Sequence, residues 1–396
     1  MDKYINDYRL GEADNQNKGV LMKSKVILAL VLFLAAAICV YAQYDPESDF
    51  ITAINDDGVS VRIINYIGVN QAINIPPTIN QLPVTIIAEY AFRDSLLTSV
   101  TIPDSVILIE QGAFAYNRLT SVDIPNSVTT IGTGAFADNG LTGVTIPNSV
   151  TFIMRAAFYD NKLKNIDIPN SVTFIGAGAF ANNELTSVDI PNSITTIGSW
   201  AFYENKLTSV TIPDSVTSIG VLAFSGNKLT SVDIPYSVIY IGSYAFSGNK
   251  LTSVHIPNSV TFIGAGAFAG NELISATISD NVTSIEDWTF ANNKLRSFVI
   301  PDNVTSIGKS AFTNNPLKRI AIPYNITSIG EDAFYGNRMF SVTIPSSVTY
   351  IGKRAFLHFS GSRPIGSPAR PSQATGSPPE GLRTTPGNVE LPPMVF

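Results

Sequence analysis

From Leu97 to Phe356 the apolar and polar positions of this chain fall into a register that repeats every 22 residues, as in LTSVTIPDSVTSIGVLAFSGNK beginning at Leu207. With Leu97 as position 1, Ile fills position 6 in all twelve units, from Ile102 to Ile344, and Phe fills position 18, from Phe114 to Phe356. An earlier copy, Phe92, carries the phase toward the N-terminus. A side chain held at the same point of every coil stacks on its copy in the next coil. A continuous core then forms although no single unit buries enough apolar surface alone. The pattern predicts a solenoid.

Within a unit, Leu207, Val210 and Ile212 alternate, are rich in β-branched residues and stop at Pro213, as in a strand of a parallel sheet. A second short extended stretch places Val216 and Ile219 inward and ends at Gly220. Gly holds that position in nine of the twelve units, which predicts a bend of positive φ. A tight or single-turn helical connection is expected at Ala223 and Phe224. The first eleven units close on an Asn: Asn117, Asn139, Asn161, Asn183, Asn205, Asn227, Asn249, Asn271, Asn293, Asn315 and Asn337. An amide both donates and accepts, so this column is read as a structural ladder satisfying turn backbone groups in neighbouring coils.

The pattern L-x-x-V-x-I-P-x-S-V-T-x-I-G-x-x-A-F-x-x-N closely resembles the BspA-like, or treponemal-type, leucine-rich repeat, and the lead-in INIPPTINQLPVTIIAEYAF from Ile73 to Phe92 resembles that family's opening unit. The resemblance implies a mostly β leucine-rich repeat solenoid with parallel sheets, here about 12 to 13 coils of 22 residues. It also implies a bacterial surface or secreted protein that attaches to host matrix proteins or to other cells. Two departures stand out: the family unit is commonly one residue longer, and it often carries Cys where this chain has Asn.

Composition narrows the partners. Charged residues make up 14% of the chain, the formal net charge is −6, and no basic run or aromatic-plus-basic motif occurs, which argues against nucleic acid. Val26 to Ala42 is the long apolar run, with Lys23 and Lys25 ahead of it, and reads as a secretory signal cleaved after Ala42. An uncleaved anchor is the alternative, because 17 apolar residues sit at the lower limit for spanning a bilayer. The polar residues ahead of Met22 make Met22 the candidate true start. Cys39 lies in a stretch resembling a lipid-attachment box, but Ile38 stands where a small residue is expected. Cleavage would leave no cysteine, hence no disulfide and no thiolate metal site.

The expected organisation is an N-terminal extension and signal (1–42), a β cap (43–72) with an Asn-Asp-Asp-Gly turn at Asn55 to Gly58, the solenoid (73–356) and a disordered Pro/Gly/Ser-rich tail (357–396). The abrupt change near Ser360 is read as a truncated or shifted reading frame, to be checked by resequencing.

The only histidines are His255 and His358, and no glycine-rich phosphate loop occurs, so neither an enzyme, a bound metal nor a cofactor is expected. Three outward features are candidates for binding. Position 5 carries Asp123, Asp167, Asp189 and Asp233 among threonines; Asp167 and Asp189 lie in adjacent coils, where a calcium site competes with a solvated polar face. Position 12 carries Phe152, Phe174, Tyr240, Phe262 and Tyr350, either outward or half-buried against the next coil. The divergent units from Leu273 onward bring together Lys294, Arg296, Lys318 and Arg319. The N-x-T triplets at Asn281, Asn303 and Asn325 arise from the repeat itself. The leading expectation is adhesion to extracellular proteins or cell-surface macromolecules. A passive spacer without a specific ligand is the rival, and a water-ordering surface like that of ice-binding solenoids comes third.

Overall fold

The structure, a computed structural model, describes residues 44–357. The signal, Cys39, His358 and the tail lie outside them. The described chain is a succession of β coils with almost no helix, one 3-10 turn at Glu47–Asp49 being the exception among the described residues. Successive coils pair in parallel at a register of 22, as in Ile219 with Ile241 and Ile241 with Ile263. This is the β-solenoid of about 13 coils that the repeat pattern predicts.

Its core is a column of thirteen Phe rings from Phe92 to Phe356, each stacked on the next with centroids 5.0 to 5.8 Å apart and planes within 16° of parallel. The centroid spacing exceeds a face-to-face contact, so the rings are offset, as their quadrupoles favour. The rings from Phe92 to Phe334 are fully buried, and the Leu, Ile and Val positions of each unit close around them. The N-terminal end is covered by an antiparallel hairpin, Phe50–Ile54 with Val61–Tyr66, which pairs onto Leu82–Ile87 of the first coil. Phe50 and Tyr66 lie against Phe92 at 6.2 and 5.5 Å, so the ring column ends in aromatic contacts there.

Two expectations about the coil change. The alternating segment ending at Ile212 reads as a strand of a parallel sheet, yet at positions 3 to 5 pairing is confined to Ala72–Asn74 with Ser99–Thr101, Ser121–Asp123 with Gly143–Thr145, Ser253–His255 with Ser275–Thr277, and a lone bridge from Asp189 to Thr211. The near-continuous ladder runs instead through positions 12 and 13. There Thr at position 11 also donates its N–H to the position-11 carbonyl one coil back, and Gly at position 14 to the position-13 carbonyl, as at Thr217 and Gly220. At position 7, Pro in eleven of the twelve units with Ser279 the exception, there is no N–H to extend the first ladder. The second ladder breaks twice, between Ile175 and Ile197 and between Ile263 and Ile285, which divides it into three sheets.

The glycines of position 14 do not adopt the positive φ expected of them. Gly220 and its eight counterparts have ordinary φ, but a Cβ there would fall 2.2 to 2.9 Å from atoms of the preceding coil, almost always its backbone. Close approach between coils, not a bend, excludes a side chain. Glu286, one of the three residues that replace this Gly, directly follows the second break in the ladder. The left-handed residue is two places on, at position 16: Gly112, Gly134, Gly178 and Gly266, but also Ala156, Trp200, Leu222, Tyr244, Trp288, Ser310, Asp332 and Arg354. The N–H of position 17 donates to the carbonyl of position 14, as from Ala223 to Gly220 at 3.3 Å. That makes a tight turn with its left-handed residue third, where L side chains are strained.

Candidate functional site

Each Asn of position 21 reaches across two coils. Asn227 accepts from the Leu207 N–H at 3.0 Å and donates to the carbonyls of Phe202, Phe224 and Ser225 at 2.9, 3.1 and 3.4 Å. Asn117, Asn161, Asn183, Asn205, Asn249, Asn271, Asn293, Asn315 and Asn337 are buried in the same way, and Asn139 is partly buried with the same bonds. These residues are occupied by the backbone and offer nothing to a ligand.

Position 5 points outward throughout. Asp123, Asp167, Asp189 and Asp233 are exposed, and Asp123 faces Thr145 while Asp189 faces Thr211 in the next coil. Asp167 and Asp189 share no ladder pair, and among the described residues no group of three or more His, Cys, Asp or Glu side chains converges as metal ligands would. His255, in the same column, holds the Thr277 hydroxyl at 2.7 Å through Nδ1.

At position 12 the choice between outward and half-buried falls to outward. Phe152 and Phe174 are 45% and 46% exposed, and they are direct neighbours in the ladder. Tyr240 and Phe262 are likewise neighbours and stack at 5.2 Å with planes 7° apart. Small residues, Thr196 and Ser218, separate the two pairs. Ile239 stands exposed beside Tyr240. The aromatic column is therefore two apolar patches on a Thr/Ser face, four coils apart, with Tyr350 exposed by itself in the last coil.

The basic residues of the last coils do gather. Lys294, Arg296, Lys318 and, in addition, Arg338 line one concavity of about 440 Å³ together with Ile274 and Pro316. Arg319 lines an adjoining concavity of about 390 Å³ with Tyr324 and Thr343. Lys294 is engaged by Glu272 at 2.7 Å, which holds the Glu272 carboxyl below its usual range through that hydrogen bond and charge.

Family comparison accords with this architecture. The model of the BspA type leucine rich repeat region matches in six copies, over residues 85–205, 173–296 and 239–363. The chain belongs to the BspA-type leucine-rich repeat family. Repeats of this kind generally serve protein–protein interaction. Among curated proteins none matches this BspA-type chain. A leucine-rich repeat protein from Bacteroides ovatus has the same fold, with a TM-score of 0.60 at 22% identity over 78% of this chain and 90% of that one. A leucine rich cell surface protein from Faecalibacterium prausnitzii aligns with a TM-score of 0.45 at 26% identity over 81% of this chain and 95% of that one.

One chemically distinctive pair in this BspA-type solenoid escaped the sequence reading. Asp138 and Asp160 occupy position 20 of adjacent coils, both with left-handed φ. Burial, then the charge and the hydrogen bond of Asp160, push the Asp138 carboxyl up to about 6. The signal was available, two acids 22 residues apart, but it lay in the turn that was read only as a connection.

Proposed function

We propose that this chain is an exported or surface-displayed binding protein whose outward columns engage extracellular proteins or cell-surface macromolecules, including host matrix. The observation that carries this reading is the pair of apolar patches at position 12. Phe152, Phe174, Tyr240 and Phe262 stay substantially exposed while the Leu, Val, Ile and Phe columns of the core are buried, so the core does not need them. Aromatic side chains are favoured anchors at interfaces, and repeated coils let many weak contacts add. Family membership supports protein binding as the general role. The export address rests on the apolar run Val26 to Ala42, with cleavage after Ala42, or on that run as an uncleaved anchor. The division into a cap at 43–72, a solenoid at 73–356 and a tail at 357–396 belongs to the same proposal.

The test is retention of matrix proteins or partner cells by the full chain on a surface, alongside F152S/F174S and Y240S/F262S variants. Binding reduced by either pair supports the reading, and no retention against a broad panel refutes it. N-terminal sequencing of the exported protein decides the cleavage site. A passive spacer is the second reading, favoured by the near-identity of the coils from Leu119 to Leu251. Self-association without ligand would select it.

A further inference from the structure

We propose that the concave basic face of the last coils is the docking site for a carboxylate-rich peptide segment of a protein partner. This inference rests on the binding role proposed above and gives it a place and a ligand class.

The charge pattern sets these coils apart. Along most of the solenoid, position 2 is Thr, as at Thr186, Thr208, Thr230 and Thr252. In the last units it becomes Ile274, Arg296, Lys318 and Phe340, while Arg319 replaces the usual Ser at position 3; Arg338 adds to them from position 22, which is Lys or Arg in most units. All of them are exposed. Arg296, Lys318, Arg319 and Arg338 have no ion-pair partner among the described residues, whereas Lys206 is bound to Glu184 at 3.1 Å and Lys294 to Glu272 at 2.7 Å. Four unpaired cations thus face solvent together in a chain of net charge −6.

Shape adds what charge alone lacks. The cations are not on a flat strip: Arg296, Lys318 and Arg338 wall the concavity that Ile274 and Pro316 also line. Arg319 opens the neighbouring one, whose wall includes the exposed Tyr324. Lys318 and Arg319 are consecutive residues, so the two hollows adjoin on one side of the solenoid. Guanidinium forks hold carboxylates in two parallel hydrogen bonds, and apolar walls beside them accept the side chains that a peptide, unlike a uniformly polar glycan, brings along. An acidic strand with interspersed apolar residues matches both features.

The experiment measures binding of a fluorescent twelve-residue peptide of alternating Glu and Leu to the full chain by polarisation, at low and at physiological salt. A charge-swapped Lys and Leu peptide and a sulfated heparin fragment serve as competing probes. The expected results are saturable binding of the Glu peptide only, weakened at least tenfold by R296Q/K318Q/R319Q/R338Q and unchanged by the distant K162Q/K164Q. A thermal melt of each variant verifies that the solenoid is intact. Absence of Glu-peptide binding, equal loss in K162Q/K164Q, or displacement of the peptide by heparin at lower concentration than by unlabelled peptide would overturn the proposal, the last by assigning the face to a polyanionic glycan. A protein partner retained equally by the parent chain and the fourfold variant would also refute it while leaving the general binding role standing; loss of every partner from the parent chain refutes that role instead.

Discussion

Replacing Asn227 tests the account of what locks the coils together. Its side chain is 6% exposed and bonds to one N–H and three carbonyls distributed over two coils. Truncation in Asn227→Ala strands the buried Leu207 N–H and removes one donor from each of three carbonyls, leaving Phe202 with Asn205, Phe224 with Asn249 and Ser225 with the Glu204 N–H. Each net hydrogen bond is worth about 1 kcal/mol, and a stranded buried donor costs about 1 to 3 kcal/mol, so a loss of about 3 kcal/mol is expected. That energy corresponds to on the order of a hundredfold faster exchange of the Leu207 amide if exchange follows local opening. Asn227→Asp is the sharper variant. It keeps the shape and the acceptor for Leu207 but aims a second oxygen at carbonyl oxygens 2.9 to 3.4 Å away. Burial and those dipoles raise its folded pKa, so the penalty is largest at pH 7 and shrinks as the pH falls and the carboxyl regains a proton to donate. Amide exchange and urea unfolding at pH 7 and pH 4 measure both. An Asn227→Ala chain within about 0.5 kcal/mol of the parent, a difference no larger than an ordinary surface substitution makes, or an Asn227→Asp chain as stable as the parent at pH 7, would refute the reasoning.

Glycine at position 14 should be intolerant for packing reasons: Gly220→Ala places a Cβ 2.5 Å from the Ser199 backbone nitrogen and is expected to cost about 1 to 3 kcal/mol, whereas Gly143→Ala meets nothing within 4 Å and should be near neutral in thermal melts. Ala156→Gly, at a left-handed φ of 53°, should hold or raise the melting temperature, because strain of about 1 kcal/mol is relieved; a drop of several degrees would contradict this. Asp138 contributes extra stability that is fully present below pH 3.8 and lost as the pH rises through about 6. The rise from 3.8 to about 6 sets a ceiling of about 3 kcal/mol, which screening of this half-exposed carboxyl reduces to about 1 kcal/mol. Asp138→Asn should therefore melt higher than the parent at pH 7.5 and no higher at pH 4.5; equal melting at both would remove the pair from consideration.

How much of this was legible beforehand depended on whether a residue is read by recurrence or by conformation. The Phe and Ile columns announced the fold because a side chain repeated at one phase has no reason to recur unless its copies touch. Position 14 was misread for the same reason: nine glycines in phase show that a Cβ is forbidden, but not whether φ or a neighbouring backbone forbids it. The left-handed site at position 16 was hidden because Trp200, Leu222 and Tyr244 occupy it as readily as glycine. The partial ladder at positions 3 to 5 could not be foreseen from alternation, which predicts that a strand faces in and out, not that it finds a hydrogen-bonded partner. For the binding surfaces, sequence located the aromatic and basic residues; exposure at position 12 and the addition of Arg338 to the basic hollow needed coordinates.

Because every coil meets its predecessor through the same 22-residue offset, the molecule's length is quantised. Excision or duplication of one whole unit between Leu119 and Leu251 returns each amide to an equivalent carbonyl and each ring to an equivalent ring. Loss of a single residue there displaces them all downstream within that coil. Lineages of such a gene can thus lengthen or shorten the scaffold by recombination between near-identical units without redesigning any contact, while its two unlike ends are carried along unchanged.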